Sequence, residues 1–237
     1  MHAPSSSIIP TSLLLAAYRG GIFPMADSRD NSELFWIEPR ERAILPLDGF
    51  HCSRSLAKTL RQERFRVTCN AAFAEVIDAC AAPRPGHPES WISHRIASSY
   101  RALHAQGWAH SIECWRNGEL VGGLYGVGFD RVFCGESMFS HERDASKVAL
   151  AWLVAALRES GAELLDCQFM TDHLASMGAV EISQRRYLEL LAQAQGTAPA
   201  GKPATDLPSG YSALLSSAAA AGSSPGNFIA QSLTQTS

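Results

Sequence analysis

Residues 118 to 140, Gly-Glu-Leu-Val-Gly-Gly-Leu-Tyr-Gly-Val-Gly-Phe-Asp-Arg-Val-Phe-Cys-Gly-Glu-Ser-Met-Phe-Ser, restrict the fold more than any other stretch. They read as two sheet strands meeting at a Gly128-Phe129-Asp130 turn, with glycines that leave one strand bare enough for a ligand or another backbone to approach. Side chains alternate across a strand, so Cys134, Glu136, Met138 and Ser140 are expected on one face and Phe133, Ser137 and Phe139 on the other. A carboxylate then sits between apolar neighbours in a buried strand, which is costly unless a partner meets it.

The surroundings of that hairpin follow from the rest of the chain. At 237 residues and 46% hydrophobic, the protein can bury one large core. Its net charge of −3 gives no global attraction for nucleic acid, so such a partner needs a local basic patch. The six cysteines show neither a CxxC pair nor metal-ligand spacing, and several lie in apolar runs, as reduced core thiols do. No basic region precedes the short apolar run Leu13-Leu14-Leu15, which is too short for a signal peptide or membrane span. A cytoplasmic protein with no membrane association is expected.

The chain opens with a helix from about Ser12 to Arg19, with Thr11 or Ser12 as cap and Gly20-Gly21 as stop. Residues 34 to 47 are strand-like but interrupted by Pro39 and Pro46, as edge strands of a small domain would be. Ser53 to Arg64 reads as a helix with Arg54, Lys58 and Arg61 on one face, either a solvated face or a set of phosphate contacts. Longer elements follow. Phe65 to Cys69 is a strand, Asn70 caps a helix through Cys80, and a proline-rich loop at 81 to 90 leads to a helix through Ile96, Tyr100 and Leu103. Asn117-Gly118 marks a tight hairpin between Ser111–Arg116 and Glu119–Val127. Asp144 caps a helix to Ser160 that is apolar on nearly all sides, Glu163 to Phe169 is a strand, and a last helix runs from about Ser183 to Gly196.

This gives an α+β chain in three parts: a small N-terminal domain over 1–62, a larger domain over 63–196 with a mixed, mainly antiparallel sheet, and a low-complexity, disordered tail over 197–237.

Asp166 and Gln168 lie two apart on the strand after the buried helix and are expected to point the same way. An acid and an amide directed together suit acyl transfer, although the same pair also serves to satisfy backbone groups at a strand end. Glu136 adds a second carboxylate within apolar sequence. The histidines have no HExxH or zinc spacing, and there is no Gly-x-Ser-x-Gly elbow, P-loop or Rossmann fingerprint. Covalent and metal-dependent chemistry are not indicated, and no cofactor is expected.

The order of three antiparallel strands, a buried helix and a further strand resembles the acetyltransferase-like GNAT superfamily. Where its ordinary members hold coenzyme A with a glycine-containing loop, this chain reads Ser140-His141-Glu142-Arg143-Asp144-Ala145-Ser146-Lys147. A closer likeness runs through Tyr18 with Gly21-Ile22-Phe23-Pro24, Trp36 with Pro39 and Arg42, Ser53-Arg54-Ser55-Leu56, Trp91-Ile92, Val121-Gly122-Gly123-Leu124-Tyr125-Gly126-Val127, Phe133 to Ser140, Ala145-Ser146-Lys147 and Leu165-Asp166-Cys167-Gln168. These motifs, in this order over residues 17 to 191, resemble the leucyl/phenylalanyl-tRNA–protein transferase family.

That resemblance implies a GNAT-like catalytic domain that moves Leu or Phe, and Met more weakly, from aminoacyl-tRNA to the N-terminus of proteins starting with Arg or Lys. It implies Asp166, Gln168 and Glu136 as catalytic and acceptor-binding groups. It also implies an aminoacyl pocket of Leu124, Phe133, Met138, Ser140, Leu153 and Leu165, with Trp91 and Met25 beside the terminal adenosine of the tRNA. Many relatives have Trp where Met25 stands. Arg54, Lys58 and Arg61 are the expected tRNA phosphate contacts, and the protein is expected to act as a monomer. An acetyl-coenzyme A-dependent N-acetyltransferase and a non-catalytic tRNA-binding protein are the competing readings.

Overall fold

In the computed structural model, which describes residues 8–31, 33–83, 89–196 and 206–234, the glycine-rich stretch is the middle of a seven-stranded sheet. The N-terminal helix α1 (Thr11–Arg19) begins directly after Pro10 with no side-chain cap, so neither Thr11 nor Ser12 plays the expected role. A two-stranded ribbon follows, β1 (Phe23–Met25) against β2 (Phe35–Ile37), and then β3 (Glu41–Ile44). Helix α2 (Arg54–Arg61) is capped by Ser53, whose Oγ accepts the Leu56 N–H at 3.2 Å.

Strand β4 (Arg66–Cys69) leads to α3 (Phe73–Ala81). Asn70 does not cap that helix: its side chain turns back to accept the Ser111 N–H at 2.9 Å. Helix α4 (His94–Ala105) is capped by Ser93. The expected hairpin joins β5 (Ala109–Arg116) to β6 (Glu119–Phe129), with Asn117 and Gly118 both at positive φ as the tight turn requires. The next turn falls at Asp130-Arg131, so Gly128 and Phe129, expected in the turn, still belong to β6, and β7 (Val132–Ser140) returns beside it.

Helix α5 (Ala145–Glu159) is buried nearly all round, as its composition demands. Asp144 before it is left-handed, with φ 71°, and makes no cap hydrogen bond, contrary to expectation. Strand β8 (Leu164–Gln168) runs parallel to β7, a short helix α6 (Asp172–Ala175) and strand β9 (Val180–Ser183) follow, and α7 (Gln184–Gly196) closes this part.

The strand order is β4-β5-β6-β7-β8-β3-β9, antiparallel throughout except at β7–β8. One face carries α2 and α5, the other α1, α3, α4 and α7. The sheet does not respect a boundary near residue 62. Strand β3 lies between β8 and β9, with Ala43 and Ile44 buried, so residues 41–44 complete the main sheet, while β2 stays in the separate two-stranded ribbon.

The low-complexity tail also departs from expectation. Residues 197–205, like 84–88 of the proline-rich loop, lie outside the described residues, but α8 (Leu207–Ala220) and α9 (Pro225–Thr234) are ordered helices. Leu207, Leu214, Ile229 and Leu233 are buried in the core cluster that contains α5. Glycine allows the closest crossings: a Cβ on Gly210 would lie 2.2 Å from the Ala156 carbonyl and one on Gly226 2.2 Å from that of Leu60. Small residues that look like disorder in composition permit close helix packing here. Among the described residues no helix is long and apolar enough to cross a membrane.

Candidate active site

Strands β7 and β8 pair only from Val132–Leu164 to Cys134–Asp166, and a cavity of about 530 Å³ lies between the segments beyond, lined by residues 135–140 of β7 and by Leu165, Cys167, Gln168 and Phe169. The point of divergence coincides with a β-bulge. Tyr125 pairs with Ser137 and Gly126 with Gly135, so Glu136 is the extra residue. The bulge needs glycine opposite it, because a Cβ on Gly126 would lie 2.3 Å from the Cys134 carbonyl.

That insertion reverses the alternation. Cys134, before the bulge, and Phe139, after it, belong to the α3–α4 side, whereas Phe133 and Met138 belong to the α5 side. Glu136 turns towards α4, and Ser140 turns towards α5, where its Oγ accepts the Ser146 N–H at 3.2 Å. The single face expected for Cys134, Glu136, Met138 and Ser140 is thus split in two.

Of the expected site residues, Leu124, Met138, Ser140, Leu153 and Leu165 line the cavity, as do Trp91 and Met25 beside Phe23 and Phe169. Phe133 does not line it. It is fully buried in the core on the α5 side, before the bulge, with its ring edge over Gly126. Arg54, Lys58 and Arg61 are exposed on α2, outside the cavity, and none of them joins an ion pair among the described residues.

The polar base of the cavity has two parts. Asp166 is fully buried and does not reach the cavity. Arg42 Nε and NH2 donate to its two oxygens at 2.9 and 2.6 Å, Tyr187 Oη donates at 3.0 Å, and the Cys134 thiol at 3.5 Å. The Gln168 backbone N–H donates to Asp166 Oδ1 at 2.9 Å. Gln168 itself has φ 58°, an uncommon conformation for a residue with a side chain, and this bond holds it there. The turn sends the Gln168 side chain into the cavity while Asp166 stays behind it, so the two do not face the site together.

Gln168 Nε2 meets Glu136 Oε1 at 3.3 Å, and Tyr100 Oη donates to Glu136 Oε2 at 2.9 Å. Burial pushes the Glu136 carboxyl up to about 7, against the opposing effect of the Tyr18 and Tyr100 phenols. A carboxyl poised there can exchange a proton near neutral pH. Nothing in the sequence pattern marks Arg42, Tyr187, Tyr18 or Tyr100 for chemistry. The available signal was Arg42 beside the apolar run Ala43-Ile44-Leu45, a cation in a strand that has to be buried.

An apolar slot ending in a titratable carboxyl and a positioned amide can hold an acyl group and receive the proton of an attacking amine, the requirement of a non-covalent acyltransferase. The chain belongs to the leucyl/phenylalanyl-tRNA–protein transferase family: the family's sequence model matches residues 44–192, and the model of its N-terminal domain matches residues 9–40. The transferase of Novosphingobium aromaticivorans is 63% identical, over 97% of both chains. That of Rhizorhabdus wittichii is 58% identical over 79% of this chain and 76% of its own. Among solved structures, L-PGS from Bacillus licheniformis superposes on 70% of this chain and 55% of its own, with a TM-score of 0.38 and 13% identity. Helices α8 and α9 fall outside both family models.

Proposed function

We propose that this protein transfers Leu or Phe, and Met more weakly, from aminoacyl-tRNA to the N-terminal amine of proteins beginning with Arg or Lys, as a cytoplasmic monomer that marks them for N-end-rule degradation. The observation that carries the reading is the cavity itself: Leu124, Met138, Leu153 and Leu165 line it together with Glu136 and Gln168. An unbranched or γ-branched side chain fits such a slot, and the ester carbonyl then lies near the polar base.

The aminoacyl ester is already activated, and an α-amino group titrating near 8 is partly neutral in the cell, so no covalent intermediate is required. The amine nitrogen attacks the ester carbonyl, the C–O bond to the tRNA breaks, and the amine proton passes to Glu136 and from there to the departing ribose oxygen. Gln168 orients the amine through its side-chain carbonyl while its Nε2 holds Glu136. Asp166 acts one step back, fixing the Gln168 turn.

A GNAT-like core accords with the order β5-β6-β7, α5, β8 and with the divergence of β7 from β8 beside the cavity. The basic face of α2 is the reading for tRNA phosphates: α2 follows His51, whose N–H is bonded to the Met177 carbonyl just past the cavity-lining α6. Labelled leucine supplied as leucyl-tRNA should appear on a peptide with N-terminal Arg and not on one with N-terminal Asp. Equal labelling of both, or of neither, overturns the proposal.

A further inference from the structure

Behind Glu136, on the side away from the cavity, two tyrosines from different helices form a file that the transfer chemistry has not used. Tyr18 comes from α1 and Tyr100 from α4, and both are fully buried. Their hydroxyls are in hydrogen-bond contact, and Tyr100 Oη lies 2.9 Å from Glu136 Oε2. A phenol carries one proton. Tyr100 gives its own to the Glu136 carboxylate, so the proton between the two tyrosines has to come from Tyr18. The order is Tyr18 O–H to Tyr100 O, and Tyr100 O–H to Glu136, with each bond polarising the next.

We infer that Tyr18 and Tyr100 are positioning residues that hold Glu136 in its ionised form and so set the pH at which transfer begins, tying the N-terminal helix to the chemistry. The inference deepens the assignment of Glu136 as proton acceptor and rests on it.

The groups around Glu136 leave this role to the phenols. Gln168 from β8 is neutral and donates to the other oxygen. Asp166, also on β8, pushes the Glu136 proton affinity up, and Arg42 from β3 pushes it down, but their charges are matched to each other in a bidentate pair. Cys134 on β7 and Tyr125 on β6 are kept neutral by burial. Burial also raises Tyr18 and Tyr100, with the Glu136 charge adding to it, so both remain protonated donors wherever Glu136 titrates. Hydrogen bonds to a carboxylate favour its charged form, and these are the two that oppose desolvation most strongly.

Single-turnover transfer from leucyl-tRNA, followed from pH 5.5 to 9 with the full-length chain, tests the inference. The acceptor amine titrates near 8 in every variant, so the difference between variants is the readout. Tyr100→Phe should move the rate midpoint about one pH unit upwards, roughly a fivefold loss at pH 7, with most of the loss recovered at pH 9. Tyr18→Phe should shift it in the same direction.

A second readout does not depend on turnover: the Glu136 carboxyl band in infrared difference titration, assigned by its disappearance in Glu136→Gln, should shift by the same amount. A rate loss in Tyr100→Phe that is equal at all pH values, or a carboxyl midpoint that stays in place, overturns the inference. A pH profile in Glu136→Gln that coincides with that of wild type overturns instead the assignment of Glu136 as base, while the infrared midpoint still reports whether the phenols tune it.

Discussion

Asp166 and Glu136 are both buried carboxylates on neighbouring strands, yet their surroundings make them opposites. Every oxygen of Asp166 is occupied, by Arg42, Tyr187, Cys134 and the Gln168 backbone, and none of it reaches the cavity. Glu136 has two side-chain donors, sits on the cavity wall and is raised to about 7. Glu113 on β5 extends the contrast: it is raised by burial as well, but Ser111, Thr68 and the Ala71 and Ala72 amides surround it, and it does not line the cavity that Glu136 lines. Burial alone does not make an acid–base group. Spare acceptor capacity at a cavity does, and of these three carboxylates only Glu136 has both.

The largest effect expected on the molecule belongs to neither member of the pair, and it separates loss of fold from loss of chemistry. Deleting residues 197–237 uncovers the apolar faces of α5 and α2 that Leu207, Leu214, Ile229 and Leu233 cover. A stability loss on the order of 5 kcal/mol follows, about 10–20 °C in melting temperature. Scanning calorimetry measures it. Because the tail touches neither carboxylate, the pH profile of transfer should keep its midpoint at temperatures where the truncated chain is folded.

Asp166→Ala comes next. It leaves the Arg42 guanidinium buried without its counter-charge, which costs about 3–5 kcal/mol, and it frees the strained Gln168 turn. Both stability in urea and turnover should fall, with aminoacyl-tRNA binding affected far less than turnover. An unchanged single-turnover rate would remove Asp166 from any role in the site.

Glu136→Gln should separate the two quantities. Transfer should drop by roughly 10²- to 10⁴-fold, the usual worth of a positioned proton acceptor. Stability should move the other way. The folded-state value of Glu136 is raised to about 7 from the ordinary glutamate range, so the folded chain holds this proton more tightly than the unfolded chain. The stabilisation is complete below the unfolded value and disappears as pH rises to 7, about 3 kcal/mol in all. Wild type should therefore weaken between pH 5 and 7.5 relative to the Gln variant, which urea titrations at a series of pH values would measure. If the variant were less stable than wild type at pH 7.5, Glu136 would be a structural acid like Glu113.

The contrast between the two carboxylates was only half legible in the sequence. Local pattern located the hairpin, the buried helix and the strand bearing Asp166 and Gln168, because each is a short-range signal. The pattern failed where one residue was inserted: the Glu136 bulge reversed the faces of β7, and its sequence mark, Gly135 inside a strand opposite Gly126, identifies a bulge only once the register is known. Arg42 and Asp166 are 124 residues apart, and nothing local announces their pairing. The tail misled by composition. Its leucines and isoleucine are spaced for helices, but their partners are on α5 and α2, and an Ala- and Ser-rich segment owes its order to those partners.

The smallest effect concerns the apolar wall of the slot. Leu124 is buried opposite Met138 and lines the cavity, so Leu124→Phe narrows it without touching Glu136 or Gln168. Apolar pockets discriminate by about 1–3 kcal/mol per methylene-sized change, which predicts graded preference among Leu, Phe and Met donors in wild type and poor use of β-branched Ile. The added ring should penalise phenylalanine several-fold more than leucine while leaving the pH midpoint where it was. Transfer efficiencies from leucyl-, phenylalanyl-, methionyl- and isoleucyl-tRNA with both proteins measure this. Equal losses for Leu and Phe would place the donor side chain elsewhere in the cavity, and a shifted midpoint would mean that the apolar slot and the carboxyl are not the independent parts described above.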